Sequence, residues 1–364
     1  MQDLTHMRAA LALARRGLGT TWPNPSVGCV IVKEGRVVGR GNTAPGGRPH
    51  AEALALAMAG EAARGAVAFV TLEPCNHTGQ TPPCTEALIA AGVARVVVAG
   101  ADPDPRVDGG GIARLRDAGI EVMTGVLAAE ADAMQAGFLT RILAGRPMVT
   151  LKLAATLDGR IATKGGESLW ITGEAARRAG HALRGQHDAV LVGVGTVMTD
   201  NPDLTCRIPG YQATPGVRVV LDSHLRTRLT ARLVISAHEH PTWIVHRDGA
   251  DRRRKQALTE AGVRLLEVKG AETGVDLAQA LQALGTAGLT RVLAEGGAQV
   301  AAGLLRADLV DGLAWFHAPA VMGGDGWPAA QAFGTATLGA MPRFTRTDTR
   351  SVGVDTLSTF RRAA

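Results

Sequence analysis

Two kinds of apolar spacing alternate along this chain. Short continuous runs of aliphatic and β-branched residues read as buried strands, at 66–72 and 96–99 and again at 148–153, 189–194, 217–221, 242–245, 263–268 and 291–294. Between them apolar residues recur every three or four positions, the spacing of one helix face, at 50–60, 86–91, 130–143, 174–183, 253–261, 277–284 and 299–306. A further helix is expected over 1–19, where Leu4, Met7, Leu11, Ala14 and Leu18 share a face. The last ~20 residues alternate like an antiparallel strand. This strand–helix succession predicts a layered α/β architecture. A turn signal, Gly145-Arg146-Pro147, separates the helix at 130–143 from the strand at 148–153. A chain of 364 residues exceeds the size at which one core usually stops growing, so two domains are expected, 1–146 and 147–364.

Composition narrows the partners. Hydrophobic residues make up 46% of the chain, yet no apolar run approaches the ~20 residues needed to span a membrane. Arg15-Arg16 follows the first apolar stretch instead of preceding it, so a secretory or twin-arginine signal is not expected. The formal net charge of +6 invites a nucleic-acid reading. Against it, Arg252-Arg253-Arg254-Lys255 is the one dense basic run and reads as a solvated helix face. Aromatic residues are 3%, with a single tyrosine, too few for a base-stacking platform. The basic balance suits a phosphorylated metabolite and a dinucleotide instead.

One cluster of residues carries distinctive chemistry. Pro49-His50-Ala51-Glu52, Glu73-Pro74-Cys75 and Pro82-Pro83-Cys84 supply an imidazole, a carboxylate and two thiols. His50, Cys75 and Cys84 make three ligands for zinc and leave the fourth tetrahedral position to water. Glu52 is too close to His50 to be a convenient ligand, but is well placed to carry a proton from a metal-activated water to a leaving amino group. Helices opening at His50 and after Cys84 would aim positive ends at the metal and favour thiolates. The cysteines are separated by eight residues, Asn76 to Pro83, where the common nucleobase-deaminase pattern has two. These residues alone imply hydrolytic deamination of an aminopyrimidine or aminopurine. His77 is an alternative ligand or a polar group facing substrate. Cys29 and Cys206 are left as reduced thiols, which points to the cytosol. In the second half no G-x-G-x-x-G fingerprint occurs. Leu293-Ala294-Glu295-Gly296-Gly297 does run from strand through two glycines into a helix, where backbone N–H groups can approach a pyrophosphate. A plain strand-to-helix turn would look the same.

The segments Thr21-Trp22-Pro23-Asn24-Pro25-Ser26-Val27-Gly28-Cys29, Pro49-His50-Ala51-Glu52 and Thr71-Leu72-Glu73-Pro74-Cys75-Asn76-His77-Thr78-Gly79-Gln80-Thr81-Pro82-Pro83-Cys84 resemble the deaminase half of the bifunctional riboflavin-biosynthesis deaminase–reductase family. Its reductase half is resembled by Leu151-Lys152-Leu153-Ala154-Ala155-Thr156-Leu157-Asp158-Gly159-Arg160, by Ser168-Leu169-Trp170-Ile171-Thr172 and by the stretch from Gly195 to Arg207. The resemblance spans essentially the whole chain. It implies a cytidine-deaminase-like three-layer domain followed by a dihydrofolate-reductase-like domain. It also implies zinc and NADPH as cofactors and a phosphorylated diaminopyrimidine as substrate, with neither nucleic acid nor membrane as partner and oligomeric state left open. Ala154, Trp170, Thr196, Asp200, Ser223 and the segment Gly297, Ala298, Gln299, Val300, Ala301, Ala302 and Gly303 are then expected to line the NADPH site. Ser168, Arg184, Leu204, Arg207 and Glu295 match substrate-holding positions. Guanidinium forks suit a ribose phosphate, although Arg184 beside Gly185 can equally cap a helix. The chemical role of Asp200 stays open.

Overall fold

The computed structural model describes residues 2–79, 82–211, 214–272 and 274–363. Gln80 and Thr81, inside the cysteine-bearing motif, lie outside them. The chain divides into two compact units, Met1–Gly145 and Arg146–Ala364.

The first unit runs α1 (Gln2–Arg15), β1 (Gly28–Lys33), β2 (Arg36–Asn42), α2 (Ala51–Ala59), β3 (Val67–Leu72), α3 (Cys84–Ala90), β4 (Arg95–Gly100), α4 (Gly110–Asp117), β5 (Glu121–Thr124) and α5 (Ala128–Ala144). Its sheet has the order β2-β1-β3-β4-β5, antiparallel on the β2-β1-β3 side and parallel from β3 to β5. Alternation along the strands sorts side chains to two faces. Val30, Val32, Phe69, Val97 and Ala99 pack with Met7, Ala10, Leu11 and Ala14 of α1 and with Ala131 and Met134 of α5. Cys29, Ile31, Ala68, Val70, Val96 and Val98 meet Ala51 and Ala55 of α2, Leu88 of α3 and Leu115 of α4. The result is a helix–sheet–helix sandwich. The expected first helix is corrected in extent: α1 stops at Arg15, and Leu4, expected on the buried face, is exposed.

The second unit runs β6 (Met148–Thr156), β7 (Arg160–Ala162), α6 (Glu174–Gly185), β8 (Ala189–Gly193), α7 (Val194–Asp200), β9 (Val217–Leu221), α8 (Arg232–Ile235), β10 (Thr242–Arg247), α9 (Arg252–Glu260), β11 (Arg264–Val268), the short pair β12 (Gly270–Ala271) and β13 (Gly274–Val275), α10 (Leu277–Thr286), β14 (Arg291–Glu295), α11 (Ala298–Arg306), β15 (Gly312–Ala318), β16 (Trp327–Pro328), β17 (Phe344–Val352) and β18 (Asp355–Arg362). Nine strands form one sheet in the order β11-β10-β9-β8-β14-β6-β15-β18-β17. The strands from β11 to β15 are parallel; β18 and β17 add an antiparallel hairpin at the edge where a single strand is expected from sequence. Val190, Val192, Val220 and Ile244 pack on Val197 of α7, Leu233 and Val234 of α8 and Leu258 of α9. Ala176 of α6 seats on Ala314, Phe316 and Leu357. After β8 the chain steps outward to β9, β10 and β11, then returns to insert β14 beside β8. Such a reversal opens a crevice at the carboxyl ends of the strands, where open α/β sheets bind ligands. No described helix is long and apolar enough to cross a membrane.

Candidate active sites

In the first unit the site begins with two glycines. A Cβ on Gly39 would stand 2.2 Å from the Ala55 carbonyl oxygen, and one on Gly41 would stand 2.5 Å from that of Ala51. Only glycine lets α2 lie this close on β2, which places the opening turn of α2, with His50 at its N-cap and Glu52 within it, over the sheet. Cys75 follows the end of β3, and Cys84 opens α3. The loop between them closes on itself: Thr85 donates from its backbone N–H to the Cys75 carbonyl at 3.3 Å and from its hydroxyl to Asn76 Oδ1 at 3.0 Å.

His50 Nδ1 lies 3.3 Å from Cys84 Sγ and 3.6 Å from Cys75 Sγ, and all three ligand atoms fall within 4.8 Å of one another. Zinc bonds of ~2.0–2.1 Å to nitrogen and ~2.3 Å to sulfur at a tetrahedral angle separate the two ligand atoms by about 3.6 Å. The donor set therefore fits zinc. The Cys84 N–H donates to Cys75 Sγ at 3.4 Å. The neighbouring Cys84 side chain holds the Cys75 thiol well below its ordinary value, and the same contact pushes the Cys84 thiol up. Between them the sulfurs hold a proton that a divalent cation displaces on binding. Glu52 is 4% exposed. Burial pushes its carboxyl up to about 6, close to the working range of an acid–base group. His77 stays outside the ligand cluster and lines the same cavity.

That cavity, of about 260 Å³, is bounded by Pro23, Asn24, Arg48, His50, Glu52 and Cys75 on one side and by residues after β4 on the other. Glu73 organises the latter. Its carboxylate accepts from the backbone N–H groups of Gly109, Gly111 and Ile112 at the opening of α4, at 2.9–3.2 Å. Asp102 and Asp104 follow β4 and face the cavity; burial pushes the Asp102 carboxyl up to about 6, and Arg106 pairs with Asp104 at 2.5 Å. Sequence reasoning missed Arg48, Glu73, Asp102 and Asp104 as cavity residues. Asp102-Pro103-Asp104-Pro105, directly after a parallel strand, was the available signal.

In the second unit the crevice holds a backbone cradle. Gly296 and Gly297 have φ of +89° and +79°, and Gly297 precedes α11 without a side-chain cap. Cβ atoms there would sit 3.4 and 3.7 Å from Thr196 Oγ1 of α7, and Val300 faces Gly193 at the end of β8. Thr196 is thus brought together with Gly297 and Val300, about a hundred residues further along the chain. The uncapped amides at the start of α11 suit a pyrophosphate, so the residues present fit a dinucleotide. Arg184 and Glu295, both expected to hold substrate, grip each other: Nε and Nη2 donate to the two carboxylate oxygens at 2.7 and 2.9 Å. Burial pushes the Glu295 carboxyl up, but Arg184 outweighs it and holds the group at about 2. Arg184 also donates to the Thr205 carbonyl at 3.1 Å, so it ties α6 to the 201–207 loop and does not cap its own helix. Leu204 is buried under that loop, while Arg207 is exposed beside Asp203 at 3.5 Å. Ser168 and Trp170 are exposed, the Trp170 ring covered by Arg177 at 4.7 Å. Ala154 is half-buried on β6 and Asp200 ends α7. Ser223 Oγ faces Gly274, away in sequence from the α11 cradle.

Two family descriptions match this chain. Residues 147–358 match the RibD C-terminal domain, and residues 1–100 match the cytidine and deoxycytidylate deaminase zinc-binding region. The riboflavin biosynthesis protein RibD of Escherichia coli is 43% identical over 366 residues, covering 98% of each chain. That of Aquifex aeolicus is 44% identical over 321 residues, 88% of each. The chain belongs to the RibD family. Among solved structures, RibD from Acinetobacter baumannii aligns with a TM-score of 0.89 at 38% identity, over 100% of this chain and 99% of that one. A Thermotoga maritima protein titled diaminohydroxyphosphoribosylaminopyrimidine deaminase/5-amino-6-(5-phosphoribosylamino)uracil reductase aligns at 0.85 and 34%, over 100% and 99%. As a RibD, the chain is a deaminase and a reductase of riboflavin biosynthesis, with a zinc-binding deaminase domain that contains His50, Cys75 and Cys84.

Proposed function

We propose that the unit carrying His50, Cys75 and Cys84, residues 1–146, removes an amino group from 2,5-diamino-6-ribosylamino-4(3H)-pyrimidinone 5′-phosphate with release of ammonia. The unit spanning 147–364 then reduces the ribosyl chain with NADPH to give 5-amino-6-(5-phosphoribitylamino)uracil. The observation that carries this reading is one buried glutamate beside a three-ligand site: Glu52 is enclosed, raised to about 6 and not itself needed to hold the metal. Zinc, when bound, makes a water acidic enough to attack a ring carbon. Glu52 takes the proton from the attacking water and returns it to the departing amine. The cavity volume suits a small ring with its substituents, and its carboxylate-bearing lining suits the amino and hydroxyl groups of a ribosylated pyrimidine.

In the second unit NADPH supplies the reducing equivalent. Ala154, Trp170, Thr196, Asp200, Ser223 and the 297–303 segment are assigned to it, with the α11 amides receiving the pyrophosphate. Ser168, Arg184, Leu204, Arg207 and Glu295 are assigned to substrate. The exposed Arg207 guanidinium is the group that meets its phosphate, while the Arg184–Glu295 pair is tied to the same loop through the Thr205 carbonyl. A cytosolic location fits four cysteines of which none is in a disulfide. The test is ammonia release. Full-length zinc-loaded protein should deaminate the free phosphorylated diaminopyrimidine, then oxidise NADPH, and release none from RNA. Release from RNA with none from the free pyrimidine overturns the reading.

A further inference from the structure

The hairpin that ends the chain reaches back to a segment carrying two of the residues assigned above to the reductase site. Between β7 and α6, residues 163–173 form neither helix nor strand, and Ser168 and Trp170 stand exposed on this stretch. Backbone without ladder hydrogen bonds keeps one conformation only where other groups hold it. Two groups do so at its far end. From α6, Arg177 covers the Trp170 ring at 4.7 Å and donates from Nη1 to the Thr172 carbonyl at 2.9 Å. From the turn between β17 and β18, Asp355 Oδ2 accepts from the Gly173 N–H at 2.7 Å, across 182 residues.

Asp355 is 2% exposed, and its other oxygen is buried with no hydrogen-bond partner among the described residues. A half-satisfied buried carboxylate costs stability that an apolar side chain in the same space would not. What it supplies is an acceptor at the positive end of α6, whose N-cap, Gly173, has no side chain with which to cap the helix. Gly173 leaves room for the contact: a Cβ there would stand 3.3 Å from Oδ2 and 3.5 Å from Val354 Cγ2. The hairpin is itself seated on the helix. A Cβ on Gly353 would stand 3.0 Å from that of Ala175, and Leu357 shares a core with Ala176.

We propose that Asp355 is a positioning residue for the reductase: by fixing the Gly173 amide it sets where Ser168 and Trp170 stand toward substrate and NADPH. This rests on the assignment of those two residues to the reductase site. α6 is then held at both ends, by Asp355 at its first turn and by the Arg184–Glu295 pair at its last. Gly173 is three residues from Trp170 and five from Ser168, so a released Gly173 amide lets the placement of both side chains vary.

The test uses full-length zinc-loaded wild type, Asp355→Ala, Asp355→Asn, Trp170→Ala and the double variant of Trp170→Ala with Asp355→Ala. Ammonia release, NADPH oxidation with already deaminated substrate, and urea unfolding are measured on each. Asp355→Ala should raise the KM for NADPH and for the reductase substrate by about five- to tenfold, the scale of one hydrogen bond, with ammonia release unchanged. Asp355→Asn keeps an acceptor for the Gly173 N–H and should stay within about twofold of wild type. In the Trp170→Ala background, Asp355→Ala should hardly change the NADPH KM, because its effect on cofactor passes through Trp170. A lowered unfolding midpoint with both KM values unchanged would make Asp355 a support for the fold alone and overturn the proposal. Additive effects on the NADPH KM in the double variant would overturn it too. If Asp355→Ala does not fold, Gly173→Ala reads the same contact from the other side: its Cβ crowds Oδ2 and should raise both KM values, and unchanged values there overturn the proposal. An unchanged NADPH KM in Trp170→Ala alone would overturn it at a different point, the assignment of Trp170 to the cofactor.

Discussion

In the first unit the site is built from ionisable side chains; in the second the cofactor cradle is built mostly from backbone. His50, Cys75 and Cys84 bring three ligand atoms within 4.8 Å, with Glu52 buried beside them, and all four come from a span of 35 residues. The second crevice is assembled from β8, α7, β14 and α11, and its central feature is a pair of left-handed glycines before a helix. The difference follows from who supplies the chemistry. A hydrolytic deaminase must itself hold a metal and move a proton, so its ionisable groups are buried and their pKa values shifted. A reductase borrows its reactivity from a dinucleotide and needs only to bind and orient it. Removing one atom should therefore silence the first site, whereas the second should yield by degrees.

The largest effect expected is from Cys84→Ser. A neutral hydroxyl is a far poorer zinc ligand than a thiolate, so zinc should be lost and ammonia release should fall to background. NADPH-dependent reduction of already deaminated substrate should continue. Metal analysis showing one tightly held zinc per chain would break the ligand assignment. Next comes Glu52→Gln, which should keep its zinc yet lose more than ~10²-fold in deamination rate, the usual scale for a proton relay. Zinc loss in that variant would make Glu52 a ligand; near-normal turnover would remove it from the chemistry. In the second unit Arg207→Ala should raise the KM for the reductase substrate by about ten- to hundredfold, the scale of one charge-assisted contact. Its NADPH affinity should hardly move. A variant that loses cofactor in place of substrate would mean the two ligands are exchanged at the 201–207 loop.

The same contrast explains what the sequence made legible. His50, Glu52, Cys75 and Cys84 stand out because each is a chemically unusual residue at a short fixed spacing, and no other His–Cys cluster competes among the described residues. Parallel strands such as Val217–Leu221 and Arg291–Glu295 are equally readable, being apolar on both faces. The short helix α7 is hidden, because Val194–Asp200 has neither a run of apolar residues nor a polar cap. Strand β2 is hidden by Gly39 and Gly41, which serve close packing on α2 and depress any strand signal. The mutual grip of Arg184 and Glu295 is a tertiary fact across 111 residues, beyond any local pattern. His187 shows the same limit. No nearby cysteine or acid spacing marks it in the sequence, yet the fold buries it to 4% exposure.

The smallest effect expected concerns that histidine, and it tests whether strongly shifted groups in the second unit are structural. His187 Nδ1 donates to the Leu183 carbonyl at 2.7 Å, and Nε2 accepts from Thr150 Oγ1 at 2.9 Å, so the neutral ring joins α6 to β6. Burial pushes the imidazole down to about 3, against an ordinary value near 6.5. Between those values the unfolded chain carries a proton that the folded chain refuses. The contribution to stability is therefore complete above about pH 6.5 and is lost as pH falls toward 3, at up to about 1.4 kcal/mol per pH unit. His187→Gln keeps polar contacts without a titrating ring. Its stability should fall less steeply between pH 6 and 4, while at pH 8 the two proteins differ only by a constant offset. Burial also pushes the Asp188 carboxyl up, but that group is common to both proteins and cancels in the comparison. Four of the five tryptophans, Trp170, Trp243, Trp315 and Trp327, lie in the second unit, so tryptophan fluorescence during urea unfolding of the full chain reports mainly on it. Parallel pH profiles for the two proteins would mean that His187 is not held neutral, and that shifted ionisable groups play no part in stabilising the reductase fold at this position.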